Sequence, residues 1–179
     1  MAVVIDGSNG ISSPDYEVDG VTGQIYPLVS GTAVTASGTS VDFTGIPSWA
    51  KRVTVMFSGV STSGGSNIIV QLGDSGGVET TGYVGGHSAL ASAVSTVSNT
   101  DGINVYSVAS AADLFSGVAT ICLLGGSTWA ASGATYSAVP RGTTFGSAKT
   151  LSGTLDRIRV TTQGGVNTFD AGTINIIYE

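Results

Sequence analysis

Between residues 53 and 58 apolar and polar side chains alternate, Val53, Val55 and Phe57 against Thr54, Met56 and Ser58, and the alternation resumes after a short gap as Ile68, Val70 and Leu72 against Ile69 and Gln71. A period of two is the signature of a strand with one face in a core. The gap reads STSGGS, whose glycines suit a chain reversal, so the pattern predicts a β-hairpin with Thr54, Met56 and Ser58 on its outer side. Upstream, GIPSWAKR is predicted as a loop that Pro47 stiffens and Trp49 anchors. Shorter runs predict further strands at 32–37, 40–44 and 78–81, then, past a strong Asn99-Thr100-Asp101-Gly102 turn, at 103–108, 117–124 and 127–137. The segment HSALASAVSTVSN fits no period well and is read as strand, and Ser110 to Asp113 as a single helical turn. Near the end Ile158 and Val160 alternate with Arg157 and Arg159, which puts both arginines on one exposed face, and Ile174, Ile176 and Tyr178 alternate with Asn175, Ile177 and Glu179. Strands at about ten-residue spacing without convincing helices predict an all-β, antiparallel sandwich of jelly-roll type over residues 30–179. Residues 1–29, broken by Asp, Gly and Pro, are expected to be an extended arm that needs a docking partner.

The runs GIPSWAKRVTVMFSGVSTSG, IIVQLGDSGG and ETTGY, with the ending FDAGTINIIYE and the opening MAVVIDGSNGI, resemble a module of tailed-bacteriophage tail-fibre and virion-surface structural proteins. Residues 84–150 carry no matching motif. The resemblance implies a non-enzymatic virion protein, displayed as a fibre or tip component, homotrimeric, attached to other virion proteins through residues 1–29 and contacting a host glycan or protein. A capsid decoration protein, cement or head fibre, is the alternative, and a phage hydrolase a remote third. The expected location is the virion, after synthesis in the host cytoplasm.

Composition narrows this further. Only 10% of residues are charged and 27 are glycine, far from the roughly 25% charge of ordinary soluble domains. Residues 1–50 hold Asp6, Asp15, Glu17, Asp19 and Asp42 and no Lys or Arg, which argues against nucleic-acid binding. No basic and apolar leader opens the chain, and no run approaches the roughly 20 apolar residues of a membrane helix; membrane insertion is not expected. The single cysteine, Cys122, lies in an apolar run and is expected to be buried and inert.

Candidate chemistry is sparse. GDSGG at residues 73–77 resembles the nucleophile loop of chymotrypsin-like proteases, but the only histidine, His87, follows Ser75 instead of preceding it, and a glycine-rich turn is the better reading. His87 has no second histidine with which to hold a metal and is expected at a surface or interface. Asn99, Asp101 and Asn104 are closely spaced oxygen donors, yet the position that should close a calcium loop with Glu is Ser110. The expectation is no catalytic residue, no metal and no cofactor. Trp49, Tyr83, Trp129 and Tyr136 are the aromatics available to stack on sugar rings if exposed, and Thr54, Met56 and Ser58 the candidate subunit interface, being too poorly charged for a free surface.

Overall fold

A computed structural model describes residues 27–91, 93–108, 110–111 and 113–179, and within residues 1–26 only the main chain of four short strands. Those four are β1 (Val4–Asp6) paired with β2 (Gly10–Ser12), and β3 (Tyr16–Val18) paired with β4 (Val21–Gly23); the expected extended arm otherwise lies outside the described residues. In the body, β5 (Val29–Ser30), β6 (Val34–Thr35), β8 (Arg52–Thr62), β11 (Tyr83–Leu90), β12 (Val94–Asn99), β14 (Phe115–Gly125), β15 (Thr128–Ser137), β16 (Arg141–Thr150) and β18 (Phe169–Tyr178) form one sheet. A smaller sheet holds β7 (Ser40–Thr44), β9 (Ile68–Asp74), β10 (Gly77–Val78), β13 (Ile103–Tyr106) and β17 (Arg157–Thr162). All pairings are antiparallel, and the two sheets face each other across one core, the expected all-β sandwich.

The order of the larger sheet is β12-β11-β16-β15-β14-β8-β18-β5, with β6 also on β18; β17 and β7 follow β9 in the smaller. Early strands pair with late ones in nested fashion, β8 with β18, β9 with β17 and β11 with β16, as in a ribbon rolled on itself. β8 and β9 are therefore not the hairpin that their alternation predicts. They lie in different sheets, and residues 63–67 carry the chain across. The reason is in the burial: β8 alternates with Val53, Val55 and Phe57 inward, whereas every residue of β9 is buried, Ile68, Val70 and Leu72 in the core and Ile69 and Gln71 under the turn that carries Asp101 and Gly102. The crossing runs beside the return from β17 to β18 and is hydrogen-bonded to it, Ser63 N donating to Thr168 O at 2.8 Å and Gln163 N to Asn67 O at 2.7 Å. Between the sheets, the Phe115 ring lies 4.6 Å from that of Tyr106, stacked, and 5.3 Å from that of Phe57, tilted, so β13, β14 and β8 share one aromatic contact.

Among the described residues one buried side chain is a cation. Lys149, 7% exposed, forms an ion pair with Glu79 and lies 5.6 Å from the centre of the buried Tyr83 ring. Glu79 Oε1 also accepts from Ser152 N at 2.7 Å and from Ser152 Oγ at 2.8 Å, and Ser152 Oγ lies 2.7 Å from Asp74 Oδ2. The hydrogen bond from Lys149, with those from Ser152, holds the Glu79 carboxyl below its ordinary value against the opposing effect of desolvation. A depressed folded value means a contribution to stability that is complete above the ordinary value of 4.5 and lost as pH falls below it towards the folded value. Glu79→Gln leaves a buried ammonium without its counter-charge; because Glu79 is itself partly exposed, the expected cost is about 2–3 kcal/mol, below the usual range for a fully buried pair. Urea denaturation measures it, and the variant should also lose part of the acid sensitivity of the wild type between pH 4.5 and lower values.

Candidate functional site

The two sheets present opposite kinds of surface. On the smaller one the outward residues of β17 are Arg157 and Arg159, as their alternation predicts. Arg159 is bonded through Nε and Nη2 to Asp42 at 2.7 and 2.9 Å, and Arg157 to Asp156 at 2.7 and 3.1 Å. Both guanidinium groups are held further toward the charged form by these carboxylates. On the larger sheet, pairing puts Ser98, Gly86, Gly146, Ser132, Thr120 and Thr54 in one outward row across six strands. The next row is Thr96, Ser88, Thr144, Ala134, Val118 and Met56, and the row beyond contains Val94, Leu90, Gly142, Tyr136 and Ser116. Between β11 and β18 the outward charged side chains among the described residues stand at the margin, Arg52 paired with Glu179 and Asp170 accepting from Ser61 Oγ. Thr54 and Met56 are half-buried and Ser58 is exposed, all three on this face as expected.

Seven strands about 4.8 Å apart, with four outward positions each, span roughly 30 by 25 Å, on the order of 750 Å². That approaches the about 800 Å² per partner of a standard protein interface. Its apolar members are exposed: Tyr136 61%, Val118 45%, Leu90 47% and Val84 76%. A depression of about 480 Å³ opens over β11, where the outward positions include Gly86, Ser88, Thr144 and Gly146. Gly146 is in mid-strand without a positive φ, and a Cβ built on it would meet nothing within 4 Å. By contrast a Cβ on Gly85 would lie 2.3 Å from Gly146 O. Glycine inside a strand costs about 0.5–1 kcal/mol relative to alanine, and no contact within the chain asks for it at position 146.

The four aromatics separate. Tyr83 and Trp129 are core residues, 1% and 3% exposed, because they occupy inward positions paired through Lys149; they are not available to a ligand. The Tyr83 hydroxyl accepts from Leu72 N at 2.7 Å and donates to Glu79 O at 2.9 Å, and burial pushes its ionisation well above the ordinary tyrosine range. Trp49 is half-buried against Tyr178, ring centres 5.7 Å apart. Only Tyr136 of the four is exposed, and it stands on the uncharged face.

Other expectations are corrected. His87 is buried, 4% exposed, because it faces inward on β11, with Nδ1 2.8 Å from Asn99 Oδ1. Cys122 is exposed, since it sits opposite Arg52 and Ala130 on the outward side of β14. The GDSGG loop is the turn from β9 to β10, closed by Gly76 N donating to Asp74 Oδ1 at 2.8 Å, with Ser75 exposed at its tip. Among the described residues no hydrogen bond joins Ser75 to His87. The uncharged face itself is visible in sequence only as Thr54, Met56 and Ser58; its larger part belongs to residues 84–148, where small residues hide the period.

Compared with family models, curated proteins and solved structures, the chain matches none. The exposed thiol provides a direct probe of the face: in the separated native chain Cys122 is expected to react with a disulfide reagent without denaturant, and to be protected at concentrations where the face is covered. Equal reactivity across the concentration range would show that the Cys122 end of the face stays free.

Proposed function

We propose that this chain is a non-enzymatic structural protein of a tailed-phage virion, displayed as a fibre or tip component, and that its uncharged sheet face is where copies join, as a trimer. The observation that carries the assembly part is the sorting of charge: one outer face is laced with ion pairs, the other is uncharged away from its margin over an area that approaches a standard interface. Such a face is better buried than wet. Gly146 adds a second support, a strand glycine whose missing Cβ leaves open space on this face. The phage assignment rests on the resemblance of the runs that form β8, β9 and β18, the strands around which both sheets are ordered. The trimer rests on the same resemblance, and head-to-tail contacts that close by rotation are compatible with it. Residues 1–29 are the proposed attachment to other virion proteins, and Tyr136 the one remaining aromatic of the host-contact proposal. A capsid decoration protein is the second reading, supported by a broad face, uncharged away from its margin, that could lie against shell subunits.

Light scattering coupled to gel filtration tests the assembly. The wild type is expected at three chain masses. Val118→Asp and Met56→Asp each bury an unpaired charge in the contact and should weaken association by about 3 kcal/mol, on the order of a hundredfold. Gly146→Ala should fold normally, because a Cβ there meets nothing within 4 Å, and yet associate poorly. A wild-type monomer at micromolar concentration would refute the face as a self-interface. Placement on the particle is tested separately by gold-labelled antibody, tail tip against capsid. A chain lacking residues 1–29 should fold and fail to enter particles; incorporation at normal copy number would remove the arm from the proposal.

A further inference from the structure

The turn from β12 to β13, Asn99-Thr100-Asp101-Gly102-Ile103-Asn104, folds over the outer side of the smaller sheet. Gly102 lies against Ile69 so closely that a Cβ there would be 3.0 Å from that side chain. Asn104 is paired with Ile69 on β9 and so shares its face. The turn is fixed by two amides: Gln71 Nε2 donates to Asp101 O at 2.8 Å and Gln163 Nε2 to Asp101 Oδ2 at 3.1 Å. These bonds leave Asp101 Oδ1 buried without a partner. Three residues on, Asn104 is 2% exposed and neither atom of its carboxamide has a partner, and Asn99 Nδ2, at the start of the turn, has none either. Buried polar groups are almost always satisfied, and a carboxylate oxygen removed from water needs a donor or a cation.

We propose that this turn binds a hard divalent cation of the calcium class, with Asp101 Oδ1 and Asn104 Oδ1 as its side-chain ligands. Oxygen donors of carboxylate and carboxamide type select such ions over softer metals, and main-chain carbonyls and water complete such shells. A neutral donor would satisfy Asn104 Oδ1 but leave the carboxylate charge unmet. Asp101 lines a depression of about 340 Å³ open to solvent, an entry path. Arg159 lines the same depression, and Asp42 already balances its charge. Among the described residues no three His, Cys, Asp or Glu side chains gather as a metal site, so one carboxylate and neutral oxygens must suffice. That donor set places the affinity at the weak end for calcium, about 10⁻⁴–10⁻³ M, as in extracellular modules.

Thermal denaturation of the full chain, in EDTA and at millimolar calcium or magnesium, tests the site. Calcium is expected to raise the Tm saturably and more than magnesium. Asp101→Asn, which keeps the shape and an acceptor for Gln163, should lose the calcium response. Asn104→Asp supplies a second carboxylate: in EDTA it should be less stable than wild type, and its response should saturate at about tenfold lower calcium. A wild-type Tm identical in EDTA and calcium overturns the proposal. So does a response that Asp101→Asn retains in full, or an Asn104→Asp chain that calcium fails to restore. Chain mass by light scattering, unchanged between EDTA and calcium, keeps this result separate from assembly through the larger sheet.

Discussion

Two crossings between the sheets run side by side, and the sandwich depends on the hydrogen bonds that join them. The passage from β8 to β9 and the passage from β17 to β18 bond through Ser63, Asn67, Gln163 and Thr168, while Thr62 faces Phe169 in one sheet and Ile68 faces Thr162 in the other. A single unsupported crossing would expose main-chain groups at the open end of the core. Two together satisfy one another, and they fix at one stroke which strands neighbour which. From that corner β9 is enclosed on both faces and β8 and β18 stand in mid-sheet.

With so few charges, where each one goes matters. The described residues place one cation inside, Lys149, tied to Glu79 and covered by Tyr83, and place others in carboxylate pairs on the smaller sheet or at the margin. The larger sheet's outer face is left to Ala, Gly, Ser, Thr and scattered apolar side chains. Such a surface has little to repel a similar surface and little hydration to give up on contact, which is a property of a component made to be assembled. The same sparseness makes the buried polar atoms at Asp101 and Asn104 conspicuous, because elsewhere the interior carboxylates have found donors.

What could be read in the sequence followed from period. Val53, Val55 and Phe57, Ile158 and Val160, and Ile174 and Ile176 are one-sided strands, and all are buried as the alternation requires. Period does not say which strand pairs with which. Alternation joins β9 to β8 because a glycine-rich gap looks the same whether it turns a hairpin or spans two sheets; the burial of Ile69 and Gln71 alongside Ile68, Val70 and Leu72 marks the difference. β16 went unpredicted because its inward residues include Thr143 and Lys149, polar side chains that erase an apolar period while being satisfied inside by Ser107 N and by Glu79. His87 and Cys122 were misplaced by residue type: a histidine is usually wet and a thiol usually buried, but a strand position is decided by parity, and theirs are inward and outward respectively.

The pairing of β18 with β8 also sets an order in time. β8 is synthesised in the first third of the chain, yet its neighbour on one side is β14 and on the other the strand that ends at Tyr178. Until β17 and then β18 have left the ribosome, β9 and β8 each lack a neighbour, so neither sheet can close on the core. The body must wait in an incomplete state through most of its synthesis, with Val53, Val55 and Ile68 uncovered. A chain built this way gains from Gly, Ser and Thr along its length, since small uncharged residues of modest hydrophobicity give waiting strands less to stick with.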